Sequence, residues 1–219
     1  MRTRALLFDL DGTLTDPRPG IVRSLRHALG RLDRPSPSDD VLATFIGPPL
    51  RGTFAALLES PSPELIERAV ALYRERFGTI GLFENEVYPG VREMLAAARR
   101  LAPAAFVATS KAAVYAERIV KHFGLDHHFA RVYGSELAGR FEDKSELLPH
   151  LLAAEGLAPG AAVMIGDRSV DVLAARAAGI PSIGVLWGYG AAAELTEAGA
   201  DVLCTSPAEL PACLERLGA

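Results

Sequence analysis

Asp9 and Asp11 stand one residue apart where the apolar run Ala5-Leu6-Leu7-Phe8 ends, and Gly12 and Thr13 follow at once. Two carboxylate charges 4 Å apart repel by about 4 kcal/mol at an effective dielectric near 20. A hard divalent cation with oxygen ligands is the economical way to offset that repulsion, so the pair marks a candidate metal-assisted active site. Gly12 supplies backbone freedom for a tight loop and lets amide groups approach an anion. A calcium loop does not fit, because Gly12 directly follows the second carboxylate and no Glu falls at the required distance. The glycines of a dinucleotide fingerprint are missing after this run, and a G-x-x-x-x-G-K-[ST] phosphate loop occurs nowhere. An ordinary Asp-rich surface turn would leave the remaining carboxylates to coincidence.

Those carboxylates lie in Gly166-Asp167-Arg168-Ser169-Val170-Asp171, behind the apolar run Ala161-Ala162-Val163-Met164-Ile165. At a separation of four, both side chains can face one point from the start of a helix. Capping by Asp167, with Asp171 on a solvated face, is the plainer alternative. The chain has only three lysines, Lys111, Lys121 and Lys144, its other basic charge being arginine. Lys144, in Glu142-Asp143-Lys144-Ser145, is either a solvated surface charge or a compact cation suited to a nucleophilic carboxylate and a phosphoryl group. Thr109 and Ser110 close another apolar run, where a hydroxyl can donate to a phosphate oxygen or cap a helix.

The elements that must position these groups alternate strand with helix. After the strand at residues 5–8, helices are expected at 91–101, 112–123, 145–155 and 169–178, and strands at 104–108, 132–133, 161–165, 182–186 and 201–204, with a terminal helix. Such alternation implies right-handed crossovers and a parallel sheet covered on both faces. The stretch from 17 to 86 carries only helical periodicity, broken at Pro35-Ser36-Pro37-Ser38, Gly47-Pro48-Pro49 and Ser60-Pro61-Ser62-Pro63. It is expected to be a helical insertion, a cap, in a core of residues 1–16 and 87–219. Its two hinges would then sit beside the Asp9/Asp11 loop, as a closing lid requires.

Hydrophobic content of 49% fits a well-buried α/β core, and a net charge of -4 offers no footprint for a nucleic acid polymer or an anionic membrane. No apolar run reaches the ~20 residues of a membrane span, and the N-terminus shows no signal-peptide pattern. Cys204 and Cys213 are expected to be reduced core residues, so a cytoplasmic protein is expected. Monomer and homodimer both remain open.

Asp9-Leu10-Asp11-Gly12-Thr13-Leu14 resembles the first motif, D-x-D-G-T-[LV], of the haloacid dehalogenase superfamily of phosphotransferases and phosphatases. The run ending in Thr109, the isolated Lys144 and Gly166-Asp167 with Asp171 are similar to its second, third and fourth motifs, in order, across the whole chain. The resemblance implies a Rossmann-like α/β core with an inserted helical cap. It also implies that Asp9 attacks phosphorus and that Asp11 serves as general acid/base. Lys144 would hold the two anions together, and Thr109, Ser110 and the backbone near Leu10, Asp11 and Gly12 would cradle the phosphoryl oxygens. Mg²⁺ would be held by Asp9 and Asp167, by Asp11 through its backbone carbonyl, and by Asp171 directly or through water. Ser110 stands where many phosphoglycolate-phosphatase-like relatives have Asn, a departure from that pattern.

The stretch Ile46-Gly47-Pro48-Pro49-Leu50, with Gly47 as a candidate substrate contact, and Trp187-Gly188-Tyr189-Gly190 look most like that phosphoglycolate-phosphatase-like branch, which includes 5′-nucleotidases. The implied partner is a small phosphorylated metabolite, 2-phosphoglycolate or a nucleoside 5′-monophosphate. A phosphomutase of the β-phosphoglucomutase type and a non-catalytic phosphate sensor are the alternatives.

Overall fold

The computed structural model describes residues 4–59 and 62–218, so Ser60 and Pro61 of the expected helix break lie outside the described residues. The chain divides into two compact units, Met1–Asp16 with Val87–Ala219, and Pro17–Glu86. In chain order the elements are β1 (Ala5–Phe8), β2 (Thr15–Asp16), α1 (Arg18–Arg31), α2 (Asp39–Ala43), α3 (Leu50–Leu57), α4 (Pro63–Phe77) and β3 (Glu86–Val87). There follow α5 (Val91–Leu101), β4 (Ala104–Ala112), α6 (Ala113–His122), β5 (Arg131–Ser135), α7 (Lys144–Glu155), β6 (Ala162–Gly166), α8 (Ser169–Ala177), β7 (Ser182–Val185), α9 (Ala192–Ala198), β8 (Val202–Cys204) and α10 (Leu210–Arg216).

The larger unit holds a six-stranded sheet in the order β5-β4-β1-β6-β7-β8, its neighbours parallel. All four residues of β1 are fully buried, which is why the strand is apolar without alternation. Ala5 and Leu7 pack with Leu147, Leu148, Leu151 and Ala175 on one face, while Phe8 meets Phe129 edge-on. Because β4 and β6 flank β1 on opposite sides, successive connections leave β1 in opposite directions. The crevice at its carboxyl end is therefore the sheet's topological switch point. Among the described residues no helix is long and apolar enough to cross a membrane.

One strand departs from expectation. The run expected to end at 108 continues as β4 to Ala112, with a register shift against β5: Ala108 pairs with Tyr133, and Ala112 with Ser135. Four steps on β4 thus match two on β5, so β4 carries a bulge. Gly134 accommodates it, since a Cβ there would lie 2.5 Å from the Lys111 carbonyl oxygen.

The smaller unit is helical throughout α1 to α4. Phe54, Tyr73 and Phe77 form its aromatic core. Glu84 ties its ends, accepting from Arg76 at 2.7 and 3.0 Å and from Arg23 at 2.7 Å. Arg23 is thus committed to an ion pair within this unit. The bonds from Arg76, against the opposing effect of burial, hold the Glu84 carboxyl below its ordinary range. A carboxyl depressed by folding stabilises above its unfolded pKa of about 4.3, and loses that contribution as pH falls through the lower folded value. We expect Glu84→Gln to cost about 1 kcal/mol at pH 7, a fall of about 2–4 °C in the melting temperature. The gap between variant and wild type should close below pH 4 in thermal melts.

Candidate active site

Four carboxylates and two ammonium groups converge at the carboxyl ends of β1, β4 and β6. β1 delivers Asp9, whose amide donates to the Ile165 carbonyl at 2.9 Å and so continues the sheet by one residue. The chain then curls: the amides of Leu14 and Thr15 both donate to Leu10 O, at 2.9 and 3.0 Å. Gly12, at φ +89°, closes the curl by donating its N–H to Thr15 O at 2.8 Å. That amide is therefore engaged within the loop. Gly12 also leaves room for Asp167, since a Cβ on it would lie 2.1 Å from Asp167 Oδ2.

β6 delivers Asp167 and, one turn into α8, Asp171. Asp171 accepts from the Arg168 amide at 3.0 Å, so the capping carboxylate is Asp171, whereas sequence had offered Asp167 for that part. Gly166 leaves room for it, because a Cβ there would sit 2.3 Å from Asp171 Cγ. Arg168 turns away to Glu194 at 2.9 Å. Asp167 accepts from Thr13 Oγ1 at 3.1 Å and from the Tyr189 amide at 2.8 Å. The turn bearing Tyr189 is pinned by Trp187 Nε1 donating to Thr13 O at 3.0 Å and by Tyr189 OH donating to Asp16.

Asp9, Asp167 and Asp171 each present an oxygen within 4.8 Å of the other two, and all three are buried. Lys144, the first residue of α7, reaches Asp9 Oδ1 at 2.7 Å and also Asp171. It is positioned by Asp143, which caps α7 by accepting from the Ser145 amide at 2.8 Å. Burial disfavours the Lys144 ammonium, but Asp171 and Asp9 outweigh it and hold the proton more tightly than on an ordinary lysine. Burial, reinforced by Asp171 and Asp9, pushes the Asp167 carboxyl well above its usual range.

Asp11 stands apart from this trio. Its Oδ2 meets Lys111 Nζ at 2.9 Å, while its buried Oδ1 finds no hydrogen-bond partner among the described residues. Burial raises the Asp11 carboxyl and Lys111 partly restores it. Thr109 is buried, with Oγ1 accepting from the Lys111 amide at 3.2 Å and its O–H proton left to donate. Ser110 lies half-buried in the bulge of β4. Gly47 belongs to the helical unit, where φ +106° serves the turn between α2 and α3.

Lys111 is the residue that sequence reasoning left without a role. Its signal was present in the scarcity of lysine and in its place just past Thr109, but its aim depends on the bulge. The glycines of the Trp187–Gly190 turn are a second omission. A Cβ on Gly188 would lie 2.4 Å from Asp167 Oδ2 and 2.3 Å from Gly12 O. We expect Gly188→Ala to displace Asp167 and lower turnover about 10²-fold while the far-ultraviolet dichroism is unchanged. Wild-type turnover in that variant would show that the close approach is not needed.

A parallel α/β core with buried carboxylates at its switch point defines a ligand site in the place where open α/β sheets bind their substrates. Residues 6–185 match the model of the haloacid dehalogenase-like hydrolases, and the chain belongs to that family. It is 45% identical over 215 residues to a 5′-nucleotidase of Pseudomonas aeruginosa, covering 98% of this chain and 97% of that protein. It is 41% identical over 187 residues to the tyrosine-protein kinase PtkA of Mycobacterium tuberculosis, covering 85% of this chain but 63% of that protein. The crystal structure of a predicted phosphatase from Clostridium acetobutylicum superposes with a TM-score of 0.95 at 35% identity, covering 99% of this chain and 100% of that one.

Proposed function

We propose that the protein hydrolyses a small phosphate monoester, a nucleoside 5′-monophosphate first among candidates, through an aspartyl-phosphate at Asp9. The observation that carries the reading is the bridging of Asp9 and Asp171 by a buried lysine beside Asp167. The 5′-nucleotidase relative, matched over nearly its full length, favours the nucleotide over 2-phosphoglycolate.

The donor set fits a divalent cation. Four carboxyl groups, Asp9, Asp11, Asp167 and Asp171, face two ammonium groups, Lys111 and Lys144, so with Asp11 carrying the proton it donates the formal excess is one negative charge, three minus two. Carboxylate oxygens alone select a hard ion of the Mg²⁺ kind. Asp9, Asp167 and Asp171 would hold it, and when bound it would neutralise the phosphoryl oxygens and orient them. In the first displacement an Asp9 oxygen bonds to phosphorus as the ester P–O bond breaks, and Asp11 gives its proton to the leaving oxygen. In the second, Asp11 takes a proton from water, whose oxygen bonds to phosphorus as the Asp9–phosphorus bond breaks, releasing inorganic phosphate. Lys144 keeps its charge throughout and holds Asp9 against the incoming dianion, while Thr109 donates to an equatorial oxygen.

The test is phosphate release from a panel including AMP, 2-phosphoglycolate and β-glucose 1-phosphate, with Mg²⁺ and with EDTA. We expect AMP to give the highest kcat/KM and EDTA to suppress turnover at least about 10²-fold, reversed by excess Mg²⁺. A preference for 2-phosphoglycolate overturns the substrate assignment, and undiminished turnover in EDTA overturns the metal. Isomerisation of the sugar phosphate without phosphate release would favour a mutase.

A further inference from the structure

We infer that Lys111 is a positioning residue, fixing the carboxyl of Asp11 for proton transfer to the leaving oxygen. The inference rests on the reading of Asp11 as general acid and goes beyond it. Three features of one local structure place this lysine. The β4 bulge inserts residues 109–111 between the paired positions Ala108 and Ala112, and bulges beside active sites re-aim a side chain. Thr109 Oγ1 takes the Lys111 amide at 3.2 Å, and the absence of a Cβ on Gly134 admits the Lys111 carbonyl. As a result an almost fully buried ammonium, its side chain 7% exposed, reaches Asp11 Oδ2 at 2.9 Å and leaves Oδ1 as the oxygen unengaged by the described residues.

That division of labour has a chemical consequence. A carboxyl with both oxygens loose can rotate about its Cβ–Cγ bond and present either edge to the ester. Holding Oδ2 fixes the rotamer and assigns the travelling proton to Oδ1. When the ester P–O bond breaks, that proton moves from Oδ1 to the departing oxygen, and Lys111 gains and loses nothing. The role is therefore felt in proportion to how much the leaving group needs a proton.

The full-length protein is tested with phenyl phosphate and p-nitrophenyl phosphate, which differ little in shape but greatly in leaving-group basicity. In Lys111→Met we expect kcat/KM, which reports the displacement that forms the aspartyl-phosphate, to fall about 10²-fold on phenyl phosphate, with a loss under about 5-fold on p-nitrophenyl phosphate. Lys111→Arg, which keeps the charge and changes the reach, should show a smaller loss with the same selectivity, and serves alone should the Met variant not fold. Asp11→Asn is the control and should show the same selectivity, more strongly. If the control is selective and the lysine variants lose activity equally on both esters, the positioning role is overturned. A rise in KM that is equal on both esters, with kcat unchanged, also overturns it and makes Lys111 a binding group for the substrate. If the control itself is not selective, the general-acid reading of Asp11 fails, and the inference with it.

Discussion

Asp9→Asn should lower the rate of phosphate release by about 10⁴-fold or more while leaving the protein folded. The amide has nearly the shape of the carboxylate but no anionic oxygen to attack phosphorus, and Lys144 loses one of its two anionic partners. A purely structural carboxylate would behave otherwise. Its removal would leave Lys144 with Asp171 as its one counterion and show only as a loss of stability. Here the site carries an excess of negative charge without a cation, so neutralising one carboxylate relieves repulsion from Asp167 and Asp171 even as it weakens one ion pair. The expected melting temperature in EDTA is therefore equal to or above that of wild type. Acid-quenched wild type incubated with ³²P-labelled substrate should carry protein-bound label that is sensitive to hydroxylamine, and the variant should carry none. Turnover surviving in the variant, or label on another residue, would remove Asp9 as the nucleophile.

The parts of this site that could be read from the residues alone are those set by local chemistry. Ala5-Leu6-Leu7-Phe8 has no polar side chain to turn outward, so it had to be an inner strand, and the carboxylates after it had to sit at that strand's end. Gly166-Asp167 behaves in the same way, and Asp171 follows at helical spacing. Lys144 was visible because lysine is scarce and because it stands just ahead of the helix expected at 145–155. What could not be read is whatever depends on two segments meeting. The β4 bulge is a mismatch between β4 and β5, and neither strand announces it alone. Gly12 shows the same limit in another form. Its conformational freedom was evident, but its use, closing the loop on Thr15 and admitting Asp167, depends on partners 3 and 155 residues away in sequence, 15 minus 12 and 167 minus 12.

Lys144→Met should have the other large effect, and its two halves separate charge balance from chemistry. The lysine side chain is 2% exposed and serves two carboxylates that are themselves buried. Removing one partner of a buried ion pair costs about 3–5 kcal/mol, because the remaining charge has neither water nor a counterion. For a chain of this size that is a drop of about 6–20 °C in the melting temperature in EDTA. Turnover should fall about 10³-fold, since Asp9 then meets a phosphate dianion with one cation fewer. Divalent metal should act oppositely on stability. Loss of the ammonium leaves the carboxylate trio more negative, so Mg²⁺ binds the folded variant more tightly and stabilises it by more at the same concentration. The increase in melting temperature on adding Mg²⁺ should therefore be larger in the variant than in wild type, while turnover stays low, because the ion restores charge but not the contact to Asp9. Equal increments in the two proteins would mean that Lys144 and the cation do not share one electrostatic site, and the assignment of Asp9, Asp167 and Asp171 as ligands would fall.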